Sequence, residues 1–177
     1  MKPISALDYS QASTEAQTVL KEIKTGFGTI PNLFKTMAHF PPLLKANWQK
    51  YKAVMLQGNI SRQVKESIAL LVSLDNGCNY CVAAHRQALF QLGFSKEQIE
   101  AIVDSNFTEI GLEKKEIQLV YFARKANRNP HDIDGSIFEN LKLLGVPEAE
   151  IVETLGVVEL FVGFNKFLDT LKVELDF

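Results

Sequence analysis

Cysteine is scarce in this chain. Its 177 residues hold two, Cys78 and Cys81, one helical turn apart, and the histidines number three. A disulfide scaffold needs several cysteine pairs, so that class is excluded. Concentrated positive charge is missing as well: the formal net charge is -2, and no basic run is longer than Lys114-Lys115. Without a basic footprint there is no electrostatic reason to expect nucleic acid as a partner. No apolar run is long enough to cross a bilayer, and Met1 to Asp8 has no signal-peptide pattern, so no membrane partner is expected. The expected compartment is cytoplasmic and reducing. There a lone cysteine pair is expected to be catalytic, redox-sensing or metal-binding rather than a permanent staple.

What the chain does have is the composition of a packed globular protein, with 46% hydrophobic and 23% charged residues. Its length suits one domain over 1–177 with a sizeable core. Apolar residues recur at three- and four-residue spacings and strict alternation is scarce, which predicts an all-α, compact helical bundle. A first helix is expected near 13–24, then a Gly26–Asn32 linker and a short apolar turn from Leu33 to Met37. The glycines of that linker lack the third glycine and the preceding strand of a dinucleotide fingerprint. Pro41-Pro42 opens a helix ending near Gly58. Ser61 caps the next one, which is apolar on nearly every side and predicted to be buried, with Glu66 on the same face as Leu70 and Ser73. Asp75-Asn76-Gly77 is a turn, and a helix follows with Cys78, Cys81, His85 and Leu89 along one stripe. Ser95 with Gln98 reads as a capping box. Further helices are predicted at about 113–126, 136–144 and 147–171. The stretch Leu89–Ile99 is echoed by Leu141–Ile151, both reading as helix, glycine stop, capped helix.

The chemistry-bearing residues gather at Cys78-Asn79-Tyr80-Cys81 and His85. A thiol attacks as thiolate, and a free cysteine with pKa about 8.5 is mostly protonated at neutral pH. A helix N-terminus favours an anion, most strongly at Cys78, and His85 can serve as a base with Glu66 fixing its tautomer. Zinc fits poorly, because Cys78, Cys81 and His85 supply three ligands and a fourth would have to come from His39 or His131. No metal and no cofactor is therefore expected. Haem attachment is excluded by Val82 in the place where a histidine is required. From the residues alone, a redox site and an inert pair of core cysteines remain alternatives.

The arrangement Glu66, Cys78-Asn79-Tyr80-Cys81, Ala84-His85 resembles the alkylhydroperoxidase D-like group of the carboxymuconolactone decarboxylase family. Gly28-Thr29-Ile30-Pro31-Asn32-Leu33-Phe34, the Pro41-Pro42-Leu43-Leu44 entry and the stretch Val64 to Gly93 are similar to its peroxidase-related branch. The resemblance places the redox core at about 26–105 and leaves 106–177 as a helical second half. It implies an all-helical fold assembled as trimers or hexamers, and a thiol-dependent peroxidase acting on a hydroperoxide with an external dithiol as reductant. By that resemblance Cys81 becomes the sulfenic acid, Cys78 donates a proton and closes the disulfide, and Glu66 with His85 relays protons. Some members carry a histidine where this chain has Tyr80. A phenol is a poor base at neutral pH, so Tyr80 is expected to orient the peroxide or to pack. Two other functions are open: action on a small cyclic acid, as the family's name suggests, and a redox-sensing module.

Overall fold

The computed structural model describes residues 4–108 and 110–176; the ends of the expected 1–177 unit, 1–3 and 177, lie outside the described residues. Nine α-helices and no strand occur among the described residues. The all-α expectation holds. Helix α1 (Thr14–Phe27) begins at Ser13, whose hydroxyl accepts the Ala16 amide at 3.3 Å. It buries Ala16, Val19, Leu20 and Ile23 on one face. It runs further than the expected 24, because Gly26 stays helical against the Trp48 ring and the stop falls at Gly28, with φ +77°. The expected apolar turn at Leu33–Met37 is a short helix instead, α2 (Asn32–Met37). Helix α3 (Pro41–Tyr51) opens on its prolines and continues as a π-helical turn over Lys52–Leu56, ahead of Gly58.

Helix α4 (Arg62–Asp75) is the axis of the molecule. Every residue from Val64 to Ser73 is buried, as expected of a helix that is apolar on nearly all sides. It packs against α5 (Asn79–Gln91), α7 (Lys114–Arg128) and α9 (Glu148–Leu171). Each fully buried aliphatic side chain, such as Ile68, Leu70 or Leu71, contributes about 1.5–3 kcal/mol. Lys65 is buried too, which requires a counter-charge. Its ammonium meets Glu153 Oε1 at 2.5 Å and also bonds the Gln57 carbonyl, while Glu153 accepts the Asn59 and Ile60 amides at 2.9 and 3.3 Å. This clasp fixes the 57–60 loop and, with it, the start of α4.

The turn between α4 and α5 sets the position of the first thiol. The buried Asp75 carboxylate is gripped in a bidentate pair by Arg124, with Nη2 to Oδ1 at 2.7 Å and Nε to Oδ2 at 3.0 Å. Gly77 then takes φ +75°, and the Cys78 amide donates back to the Ser73 carbonyl at 2.9 Å. Cys78 is extended (φ -83°, ψ 96°) and caps α5 instead of lying within it. The expected stripe therefore begins at Cys81, with Cys78 presented from the turn. Helix α6 (Lys96–Val103) has the expected capping box at Ser95 and Gln98, and α8 (Gly135–Leu143) leads into α9.

Candidate redox site

Cys78 and Cys81 are both free thiols, 0% and 3% exposed. Each acts on the other through a side-chain hydrogen bond. The bond from Cys81 lowers the pKa of Cys78, and the Cys81 backbone amide at the start of α5 adds to that effect. Holding the shared proton raises Cys81, and burial raises it further. Within the pair a negative charge therefore rests more easily on Cys78 than on Cys81.

On the same stretch of α5 is His85, also buried. Its Nδ1 lies 2.6 Å from Glu66 Oε2, and Glu66 is 1% exposed. The other carboxylate oxygen, Oε1, pairs with Arg62 Nη2 at 2.6 Å, one turn earlier on α4. Burial works to raise the Glu66 pKa, but His85 and Arg62 together outweigh it and hold the carboxyl below its ordinary range. A carboxylate at Nδ1 fixes the hydrogen there and leaves Nε2 as the ring's lone-pair nitrogen in the neutral imidazole. Phe161 of α9 meets the ring edge-on, with centroids 4.4 Å apart. Arg62 is anchored in turn by the Met55 carbonyl and the Tyr51 hydroxyl, both at 2.9 Å. The π-helical turn places that Met55 carbonyl within reach.

These groups surround a cavity of about 270 Å³, lined by Cys81, His85, Glu66 and Arg62 and walled by Phe27, Phe34, Tyr51 and Phe164. A water in the liquid occupies about 30 Å³, so the space suits a small organic molecule. Cys81 faces this cavity; Cys78 does not line it. The hollows between α7 and α8 and beside α6 contain no thiol or imidazole.

The structure brings together all four residues singled out from the sequence: Glu66, Cys78, Cys81 and His85. Tyr80 reaches the cavity edge, but its hydroxyl donates to Asp176 Oδ1 at 2.7 Å. Burial raises its pKa and Asp176 raises it further. Several contributors were not anticipated. Arg62 had a readable signal, its i,i+4 spacing to Glu66. Ser73, on the Glu66 face of α4, adds to the surroundings of Cys81, while Asn165 and Asp169 had no signal, since α9 reaches the site from the far end of the chain. Among the described residues, no group of three or more His, Cys, Asp or Glu is arranged to hold a metal ion, and no helix is long and apolar enough to cross a membrane.

Comparison with known proteins agrees with this arrangement. Residues 41–108 match the model of the Carboxymuconolactone decarboxylase family. That segment, which holds Glu66, Cys78, Cys81 and His85, is similar to that family. Over 75 residues it is 31% identical to an alkyl hydroperoxide reductase of Mycobacterium tuberculosis (strain ATCC 25618 / H37Rv), a match covering 42% of this chain and 22% of that protein. The chain thus spans about a fifth of that relative. Among solved structures, the alkylhydroperoxidase AhpD core of a peroxidase-related protein from Ralstonia eutropha JMP134 superposes with a TM-score of 0.85 at 22% identity, covering 99% of this chain and 94% of its own. A peroxidase-related protein from Silicibacter sp. TM1040 gives 0.83 at 27% identity, covering 99% and 93%. The debrominase Bmp8, in complex with 2,3,4-tribromopyrrole, gives 0.82 at 18% identity, covering 98% and 91%. The resemblance read from the motif residues is borne out, and the fold is that of the AhpD core.

Proposed function

We propose that this chain is a thiol peroxidase that reduces organic hydroperoxides through the Cys78–Cys81 pair. The observation that carries this reading is a thiol pair whose Cys81 faces an apolar cavity with the Glu66–His85 couple as its polar corner. Cys81 passes its proton to Cys78 and attacks the terminal peroxide oxygen as a thiolate. The O–O bond breaks, Cys81 becomes a sulfenic acid, and the departing alkoxide takes a proton from the Cys78 thiol. The Cys78 thiolate then attacks the sulfenic sulfur, closing the disulfide and expelling hydroxide, which takes a proton from solvent and leaves as water. An external dithiol of a reducing cytoplasm restores both thiols. The aromatic walls favour a hydroperoxide with an apolar body over hydrogen peroxide. The test is hydroperoxide consumption driven by a dithiol: the wild type turns over and Cys81→Ser does not. Equal rates would refute the mechanism.

A second reading draws on the same aromatic walls, which suit a flat ring, and on the debrominase with the same fold. Here the pair would reduce a carbon–halogen bond to carbon–hydrogen, forming the disulfide and releasing halide. Halide release from a halogenated aromatic by the reduced protein separates the two readings. Action on a small cyclic acid has less support, because Arg62 already gives its donors to Glu66, Tyr51 and Met55.

A further inference from the structure

The cavity that Cys81 faces runs from a buried floor to an open rim. Its reacting corner is buried, and every aromatic side chain of its wall but one is 7% exposed or less. The exception is Phe27, which is 37% exposed and stands at the rim with the exposed amides of Gln87 and Gln91, one turn apart on α5. Three rings hold Phe27 in place: Tyr51 edge-on with centroids 5.3 Å apart, Trp48 tilted at 5.7 Å and Phe34 stacked at 6.2 Å. From Phe34 the rings continue inward, to Phe164 at 6.2 Å, on to Phe161 at 6.0 Å and to the imidazole of His85 at 4.4 Å. An unbroken aromatic track thus joins the rim to the reacting corner.

The charges along this track cancel. Among the described lining residues the one carboxylate, Glu66, and the one guanidinium, Arg62, pair with each other at 2.6 Å, so a charged ligand would shed its water without meeting an unpaired counter-charge. The rim amides are neutral. A dry cavity of about 150 Å³ holds benzene. About 270 Å³ leaves room for a substituted ring together with its reacting group. A ring in the outer half of the cavity meets the exposed part of Phe27, and both apolar surfaces leave water. We propose that Phe27 is the specificity-determining residue of this site: it selects neutral substrates with an aromatic body, whose ring covers Phe27 while the reacting group points to Cys81 and His85. A small alkyl hydroperoxide fills the inner half and leaves Phe27 bare. Phe27 lies outside the segment 41–108 that matches the family model.

The inference rests on the peroxidase reading only for the identity of the reacting group, and its test separates the two. Dithiol-driven consumption of cumene hydroperoxide and of tert-butyl hydroperoxide is measured in the wild type, Phe27→Tyr, Phe27→Leu and Phe27→Ala. The ratio of their kcat/KM values is expected to fall about fivefold in Phe27→Ala, through a higher KM for cumene hydroperoxide, and to keep its wild-type value in Phe27→Tyr, which retains the ring. A second measurement uses no peroxide. The alcohol product of cumene hydroperoxide, 2-phenyl-2-propanol, is titrated into the reduced protein with tert-butanol as the control, and the methyl NMR signals of Leu33, Ala84 and Ala88 in the cavity wall report occupancy. Its dissociation constant should rise about fivefold in Phe27→Ala and by a smaller factor in Phe27→Leu. Phe27→Leu keeps an apolar side chain at the rim and decides the matter if Phe27→Ala does not fold. No shift of those signals, an affinity indifferent to residue 27, or a loss that tert-butanol shares in equal measure would overturn the inference. Ring-dependent binding in a protein that consumes no hydroperoxide would overturn the peroxidase reading and leave this one standing.

Discussion

Two stretches of the chain close with the same turn and do different work. In Leu89–Ile99, Gly93 takes φ +95° and the Phe94 amide donates to the Leu89 carbonyl at 3.1 Å. In Leu141–Ile151, Gly145 takes φ +77° and the Val146 amide donates to Leu141 at 3.0 Å. The helix before the first turn, α5, buries Tyr80, Cys81, His85 and Leu89, whereas α8 buries only Leu141. The helix after the first turn, α6, is 8 residues long; the one after the second, α9, is 24 and returns across the site. Identical local geometry thus serves two purposes. The first unit carries Cys81 and His85, and the second supplies Phe161, which meets the His85 ring, together with Asn165 and Asp169.

The largest effect expected from breaking this division is chemical. Cys81→Ser should reduce dithiol-driven hydroperoxide turnover by at least about a hundredfold, and Cys78→Ser should also stop it after one turnover; Leu143→Ser, on the exposed side of the second unit, should leave the steady-state rate unchanged. Next comes the charge buried beside the first unit. Glu66→Leu strips His85 and Arg62 of their counter-charge and should cost about 3 kcal/mol in denaturant unfolding. The sign with pH follows from the lowered Glu66 pKa. Its contribution is complete above the unfolded value, roughly pH 4, and is lost as the pH falls through the lower folded value. The stability gap between wild type and Glu66→Leu should therefore be flat near neutrality and close only in acid.

The turns themselves allow a sharper comparison. A Cβ at Gly93 or Gly145 would meet no atom within 4 Å, so only the left-handed backbone opposes it. Gly93→Ala and Gly145→Ala should each cost about 1–2 kcal/mol, and the two values should agree closely in thermal or denaturant melts. The smallest effect is expected at Tyr80→Phe, which removes the bond to Asp176. It should cost about 1 kcal/mol or less and leave the initial rate of hydroperoxide reduction within about twofold, a result that would assign Tyr80 to anchoring the 172–176 segment.

Much of this was legible in the sequence wherever the signal was local. Ser61 and the Ser95–Gln98 box marked helix starts that the structure reproduces, and the all-round apolar pattern of α4 placed Glu66 inside. Local signals also misled by small margins. Cys78 reads as helical by spacing, but Gly77 turns the chain so that it caps the helix. Gly26 reads as a break, yet the helix persists to Gly28 because Trp48 packs against it. Contacts between α9 and the site were not legible at all. Asn165 and Ser73 are separated by most of a helical bundle in sequence, and a buried asparagine on an apolar helix gives no hint of the partner it faces.

The central claim is that Cys78 and Cys81 react with peroxide as a pair. Thiols should be counted, and the intact mass measured, before and after one equivalent of an organic hydroperoxide under denaturing quench. The account predicts loss of both thiols with no added oxygen, the product being a Cys78–Cys81 disulfide. Two thiols still present, or an oxygen retained on Cys81 with Cys78 untouched, would contradict it.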